Sequence, residues 1–163
     1  MTKEILEKLS SYNLFNNLFP GILFVYIVSK LTNFNLIMEN NLIGAFFYYF
    51  VGIVISRFGT LIVEPVLKKI RFIKFADYKD YIVASEKDSK IDILSEQNNM
   101  FRTIISLLIF VLLSTLYAKI TICFCIPVKA TLTGLVIGLL ILFLFSYRKQ
   151  TNYIRKRVNN SKI

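Results

Sequence analysis

Three runs of apolar residues, at 42–63, 103–118 and 130–147, most narrow what this chain can fold into. Each approaches the length of about 20 residues that carries a helix across the hydrocarbon of a bilayer. A fourth run, residues 14–31, reads "LFNNLFPGILFVYIVSKL" and is interrupted by Asn16, Asn17, Pro20 and Gly21. Proline near the start of a helix is tolerated, because the N–H it lacks would have no partner there anyway. Inside lipid every backbone amide must be satisfied within the segment, so such runs are read as helices. The composition agrees: 55% of the 163 residues are hydrophobic, 18% are charged, and mean hydropathy is +0.59, above the usual range of a soluble domain. The expected fold is an all-α membrane protein, one membrane domain over residues 1–163 with four transmembrane helices.

The positive charges set the expected threading. Two Lys lie near the N-terminus, eight Lys and Arg lie between residues 68 and 102, and six lie in the tail 148–163, sixteen in all. Only Lys30, Lys119 and Lys129 fall on the opposite side, with Arg57 left inside a span. Such a bias places both termini in the cytoplasm of a bacterial inner membrane. The first span gains least from this argument, since dropping it would move only the two N-terminal lysines. The net charge of +10 is explained by this flanking pattern. With no nucleic-acid-binding signature beside it, nucleic acid is not an expected partner. No removable signal peptide is expected, because the N-terminus lacks the compact basic, apolar and small-residue regions of one.

Outside the spans, residues 1–12 carry Ile5, Leu6 and Leu9 at helical spacing, as in a short amphipathic helix on the inner surface. Residues 64–102 form the expected cytosolic segment between the second and third spans, with helical character in "SEKDSKIDILSEQNN". It opens basic and aromatic, in "EPVLKKIRFIKFADYKDY", and then turns acidic. The first half suits the headgroup layer. The second half is either a solvated face or a place for a cytosolic protein to dock. The basic tail, including Arg148, Lys149, Arg155, Lys156 and Arg157, suits an anionic inner leaflet.

Two stripes of small residues point to close helix packing. Gly52, Ser56 and Thr60 recur every fourth residue with Gly59 beside them, and Ala130, Gly134 and Gly138 repeat the spacing in the fourth span. Small residues let helix backbones approach closely where there is no hydrophobic drive between helices. The stripes would pack the second span on the fourth, or build a homo-oligomer interface.

Arg57 needs a polar shell, because a charge inside a span costs at least about 2.5 kcal/mol on insertion scales. Glu64 lies seven residues on, on the same helical face but about 10 Å along the axis. The run "SEQNNMFRT" at the start of the third span offers further partners. The expected polar cluster is Arg57, Glu64, Glu96, Asn98, Asn99 and Arg102, at the cytoplasmic end of the bundle. It would fix helix register and depth, or form a gate, an ion path or a ligand site.

Motifs for chemistry are lacking. Histidine is absent, which removes the commonest general base and metal ligand. No H-E-x-x-H, P-loop, G-x-S-x-G or C-x-x-C sequence occurs. Cys123 and Cys125 are too close for an ordinary disulfide and read as two apolar thiols near a helix end. No metal site, no cofactor and no enzymatic activity are expected.

The run "SRFGTLIVEPVLKKIRFIKFADYKDY", followed by "SEQNNMFRT", resembles uncharacterised small bacterial multi-pass membrane proteins that carry no family name. The resemblance covers the middle third of the chain and implies no activity. The expected function is that of a non-enzymatic inner-membrane protein that self-associates or anchors a cytosolic partner. The alternative is a small pore-forming or membrane-perturbing effector of bacterial stress or phage defence.

Overall fold

Every regular element among the described residues, 14–160, is helical in the computed structural model of the chain. The first apolar run is a π-helical turn, Leu14–Leu18, leading into helix α1, Phe19–Leu31. Helix α2 spans Asn41–Lys69. Helix α3 is the short Tyr78–Lys87, α4 runs Lys90–Cys123 and α5 runs Val128–Asn160. Residues 1–13, with the expected amphipathic N-terminal helix, and residues 161–163 lie outside the described part.

Three helices, α2, α4 and α5, are long and apolar enough to cross a membrane. The first run is a shorter apolar helix. With the π turn that leads into it, the first helix runs Asn16–Leu31 and rises about 24 Å against hydrocarbon of about 30 Å, so the fold shows three helices of spanning length where the sequence suggests four. The segment 64–102 is also less separate than expected. Its first residues, Glu64–Lys69, continue α2, and its last belong to the start of α4. Only the connection after Lys69 and helix α3 stand apart from the long helices.

Local chemistry sets these boundaries. Asn40 caps α2 by accepting from the amides of Leu42 (2.9 Å) and Ile43 (3.1 Å), satisfying donors that the first turn would otherwise strand. Both prolines within the helices, Pro20 and Pro65, closely follow π turns, Leu14–Leu18 and Gly59–Val63. In the second, the Glu64 amide reaches back to the Gly59 carbonyl. The connection from α4 to α5 turns at Cys125, whose φ of 49° closes the helix end as the amide of Ile126 reaches the Thr121 carbonyl at 3.1 Å. Cys123 and Cys125 are near a helix end as expected, but both are exposed.

The core lies where α1, α2 and α4 meet. Phe24, Val25 and Val28 of α1, Ile55 of α2, and Leu107 and Val111 of α4 are buried together. Phe110 sits edge-on to both Phe24 and Phe58, with ring centres 6.1 and 4.7 Å away. Two glycines set the spacing of α1 and α2. A Cβ on Gly21 would strike the Tyr48 carbonyl, and one on Gly52 would strike the Asn17 carbonyl. Asn16 and Asn17, interruptions in the sequence, thereby become packing residues: the buried Thr103 hydroxyl of α4 lies 3.0 Å from Asn16 Oδ1. Outward faces of the long helices are apolar, with Phe46, Leu112, Leu116, Leu132 and Leu140 all exposed, as a surface against lipid acyl chains requires.

Helix α5 leans on the side of this junction. It touches the rest through Phe143 stacked on Phe50, 6.0 Å between ring centres, through the Thr131 and Tyr117 hydroxyls 2.9 Å apart, and through Lys149.

Candidate functional site

The polar centre of the molecule is built around Glu64, whose side chain is only 8% exposed. Each of the three ion pairs among the described residues ends on it. Arg102 Nη1 of α4 approaches Glu64 Oε2 at 2.7 Å, Lys68 Nζ approaches Oε1 at 3.0 Å from the next turn of α2, and Lys149 Nζ of α5 lies 3.8 Å from Oε1. One carboxylate thus ties three helices together at one end of the bundle.

Gly59 makes this possible. A side chain there would collide with Ser106 Oγ and crowd the backbone of Arg102, so glycine lets α4 come against α2 one turn before Glu64. The Ser106 hydroxyl donates to the Arg102 carbonyl at 2.7 Å and leaves the guanidinium directed at the carboxylate. Lys149 is held by a second acceptor, the Thr60 carbonyl, and lies 5.8 Å from the centre of the Tyr153 ring. Lys68 is 43% exposed and sits 4.0 Å from the centre of the Phe75 ring, so the connection after α2 folds back over the cluster. It does so through Arg71, which takes the left-handed conformation with φ of 61°.

Of the six residues expected in the cluster, the structure brings Glu64 and Arg102 into contact. Glu96 and Asn98 are exposed on α4 and stand apart from it. Asn99 contributes its backbone, the carbonyl accepting from Thr103 Oγ1 at 2.9 Å. Arg57 does not join Glu64. It is exposed and has no ion pair or side-chain hydrogen bond among the described residues. The π turn at Gly59–Val63 supplies the reason: it takes up one residue more than an α turn and rotates all that follows by roughly 100°. A seven-residue interval that would align Arg57 and Glu64 in an unbroken α-helix leaves them on different faces.

The small-residue stripes are corrected too. Gly52 packs on α1 and Gly59 on α4, while Ser56 and Thr60 are joined by the Thr60 hydroxyl donating to the Ser56 carbonyl at 3.0 Å. The stripe of α2 therefore does not meet that of α5. Ala130 is exposed, and nothing lies within 4 Å of where a Cβ on Gly134 or Gly138 would stand.

Sequence reasoning missed the contribution of α5. Ser146, Lys149, Gln150 and Tyr153 fall at helical intervals of three and four on one face and line a cleft with Arg57 and Thr60 of α2. The signal was present as a polar face continuing the apolar run 130–147, but the basic residues around it read as a membrane-surface tail. No group of His, Cys, Asp and Glu among the described residues has a geometry that could hold a metal ion.

Comparison with protein-family models, with curated proteins and with solved structures finds no match to this chain.

Proposed function

We propose that the chain is a non-enzymatic multi-pass protein of the bacterial inner membrane that crosses four times, with the bilayer thinned locally around its shorter first helix, keeps both termini cytoplasmic and self-associates through its last helix. The observation that carries this reading is the open stripe of α5. None of the residues in its most apolar stretch is buried, yet Gly134 and Gly138 keep the spacing that lets two helices approach closely. A helix that only faced lipid would gain from larger side chains at both positions. The distribution of Lys and Arg supports the orientation.

A cytosolic partner is the second reading. Helix α3 has no buried residue and is joined to α4 by the Tyr81 hydroxyl donating to Asp92 Oδ1 at 3.1 Å, so its faces remain open for docking. A pore or membrane-perturbing effector would also assemble from copies of the chain, and differs in depolarising the cell.

Cysteine cross-linking in native membranes tests the assembly. With Cys123 and Cys125 changed to Ser, Gly134→Cys and Gly138→Cys are expected to form disulfide-linked dimers, while Val136→Cys, on another face of α5, is not. Equal linkage at all three positions, or none at any, overturns self-association through this stripe. A potential-sensitive dye in the same cells separates assembly alone, with the potential intact, from a pore.

A further inference from the structure

The cleft between α2 and α5 contains polar groups that the self-association reading does not use. Arg57, from the α2 side, has no ion pair among the described residues. Lys149 projects from α5 beside Gln150 and Tyr153. At the back lies Ser146, 8% exposed, whose Oγ has no hydrogen-bond partner. Thr133 and Thr151 on the same helix donate to the carbonyls four residues earlier, at 2.9 and 3.0 Å, which is the ordinary way a hydroxyl is satisfied in a helix. Ser146 instead lines the cleft with its hydrogen-bonding capacity unspent and its Oγ closed to solvent, and Arg102 Nε, in the adjoining cluster, is likewise buried without an acceptor.

Charge points the same way. Lys68, Arg102 and Lys149 share a single carboxylate, Glu64, while Arg57 lines the cleft without a share in it, and no acidic side chain among the described residues lines the cleft. Glu64 is already divided among its three partners, so the cleft presents two cationic side chains, Arg57 and Lys149, with no anion of its own among the described residues. The cleft is about 200 Å³ including the open space at its mouth, with room for about one water-sized group, the size of one phosphate oxygen.

Depth matters as well. From Asn41 to Arg57 is about 24 Å of helix and from Val128 to Ser146 about 27 Å, so the cleft falls toward the far edge of a hydrocarbon layer of about 30 Å, where phospholipid phosphates begin.

We propose that this cleft is an anion site that takes a phosphate group, either the headgroup phosphate of an anionic phospholipid or phosphate free in the cytosol. One oxygen enters the cleft and accepts from Ser146 Oγ as the Ser146 side chain turns to meet it. The outer oxygens face the Arg57 guanidinium, a planar donor suited to phosphate, and the Lys149 ammonium. The site is independent of the Gly134 and Gly138 stripe, and its failure would leave the assembly reading untouched.

The full chain, purified in an uncharged detergent, is titrated with phosphatidylglycerol, with phosphatidylcholine and, in a separate arm, with inorganic phosphate against chloride at equal ionic strength. Thermal stability and native mass spectrometry report binding. Saturable binding of phosphatidylglycerol but not phosphatidylcholine is expected, and Arg57→Gln or Ser146→Val should each weaken it about tenfold, the loss of one hydrogen bond to a charged group. The double variant Arg155→Gln, Lys156→Gln, which removes tail charges outside the cleft, should bind within about twofold of the parent, since exposed charges add only a diffuse attraction. Phosphate binding that the same two cleft variants weaken identifies a soluble anion as a ligand, and its absence identifies the lipid headgroup. The proposal is overturned if neither probe binds, if Arg57→Gln and Ser146→Val bind as the parent does, or if the tail variant loses as much as they do.

Discussion

The junction of α1, α2 and α4 and the exposed length of α5 use glycine in opposite ways. At the junction Gly21, Gly52 and Gly59 stand where any side chain would strike a neighbouring helix, and around them lie the buried Val25, Val28, Ile55 and Leu107. In α5, Gly134 and Gly138 have open space on their side, and the apolar residues around them face outward. A G-x-x-x-G pattern thus marks a surface able to come close to another helix without saying whether the chain itself supplies that helix. Tertiary contact holds the first region along its length. The second is fixed mainly at its ends and middle, by Tyr117 with Thr131, Phe50 with Phe143, and Lys149 with Thr60 and Glu64.

The sharpest way to break the contrast is to remove the group that joins the two regions. Glu64→Gln keeps the shape and takes away the charge, leaving Arg102 and Lys149, 18% and 24% exposed, without a counter-ion. Loss of one member of a buried pair costs about 3–5 kcal/mol. The variant should show a large drop in midpoint in thermal unfolding monitored by circular dichroism in detergent. Lys68→Gln should cost under about 1 kcal/mol, because Lys68 is 43% exposed and water already screens its charge. If the two variants behave alike, Glu64 is not what holds α4 and α5 to α2.

Much of this architecture was legible in the sequence. Apolar run length gave the three long helices, since a bilayer imposes one dimension on all of them. Glu64 and Arg102 were legible as partners because both stand where an apolar run meets polar sequence, at the same end of the bundle. The error lay with Arg57 and Glu64. Their alignment follows from α-helical periodicity, and a π turn at Gly59–Val63, beside Pro65, breaks that periodicity with a shift the residue pattern does not advertise. The partners of the glycine stripes were not legible either, because spacing encodes a surface and only the packed fold decides what covers it. Asn16 was the least readable: a polar interruption in an apolar run became the acceptor facing the buried Thr103 hydroxyl, a pairing across 87 residues that no local rule supplies.

The glycine comparison itself is sharpened by placing the same methyl group in each region. At Gly52, alanine would drive its Cβ into the backbone of Asn17, which no rotamer change can relieve, so α1 must move away from α2. Overpacking of this kind costs about 1–3 kcal/mol. At Gly138 the added methyl meets nothing, and alanine exceeds glycine in helix propensity by up to about 1 kcal/mol. Gly52→Ala is therefore expected to lower the unfolding midpoint of the detergent-solubilised chain, and Gly138→Ala to leave it unchanged or raise it slightly. The measurement is made at protein concentrations low enough to keep the chain monomeric, so that association through α5 does not enter. A Gly138→Ala variant destabilised as much as Gly52→Ala would show that α5 packs against the chain's own helices along this face, and the distinction between the two regions would fail.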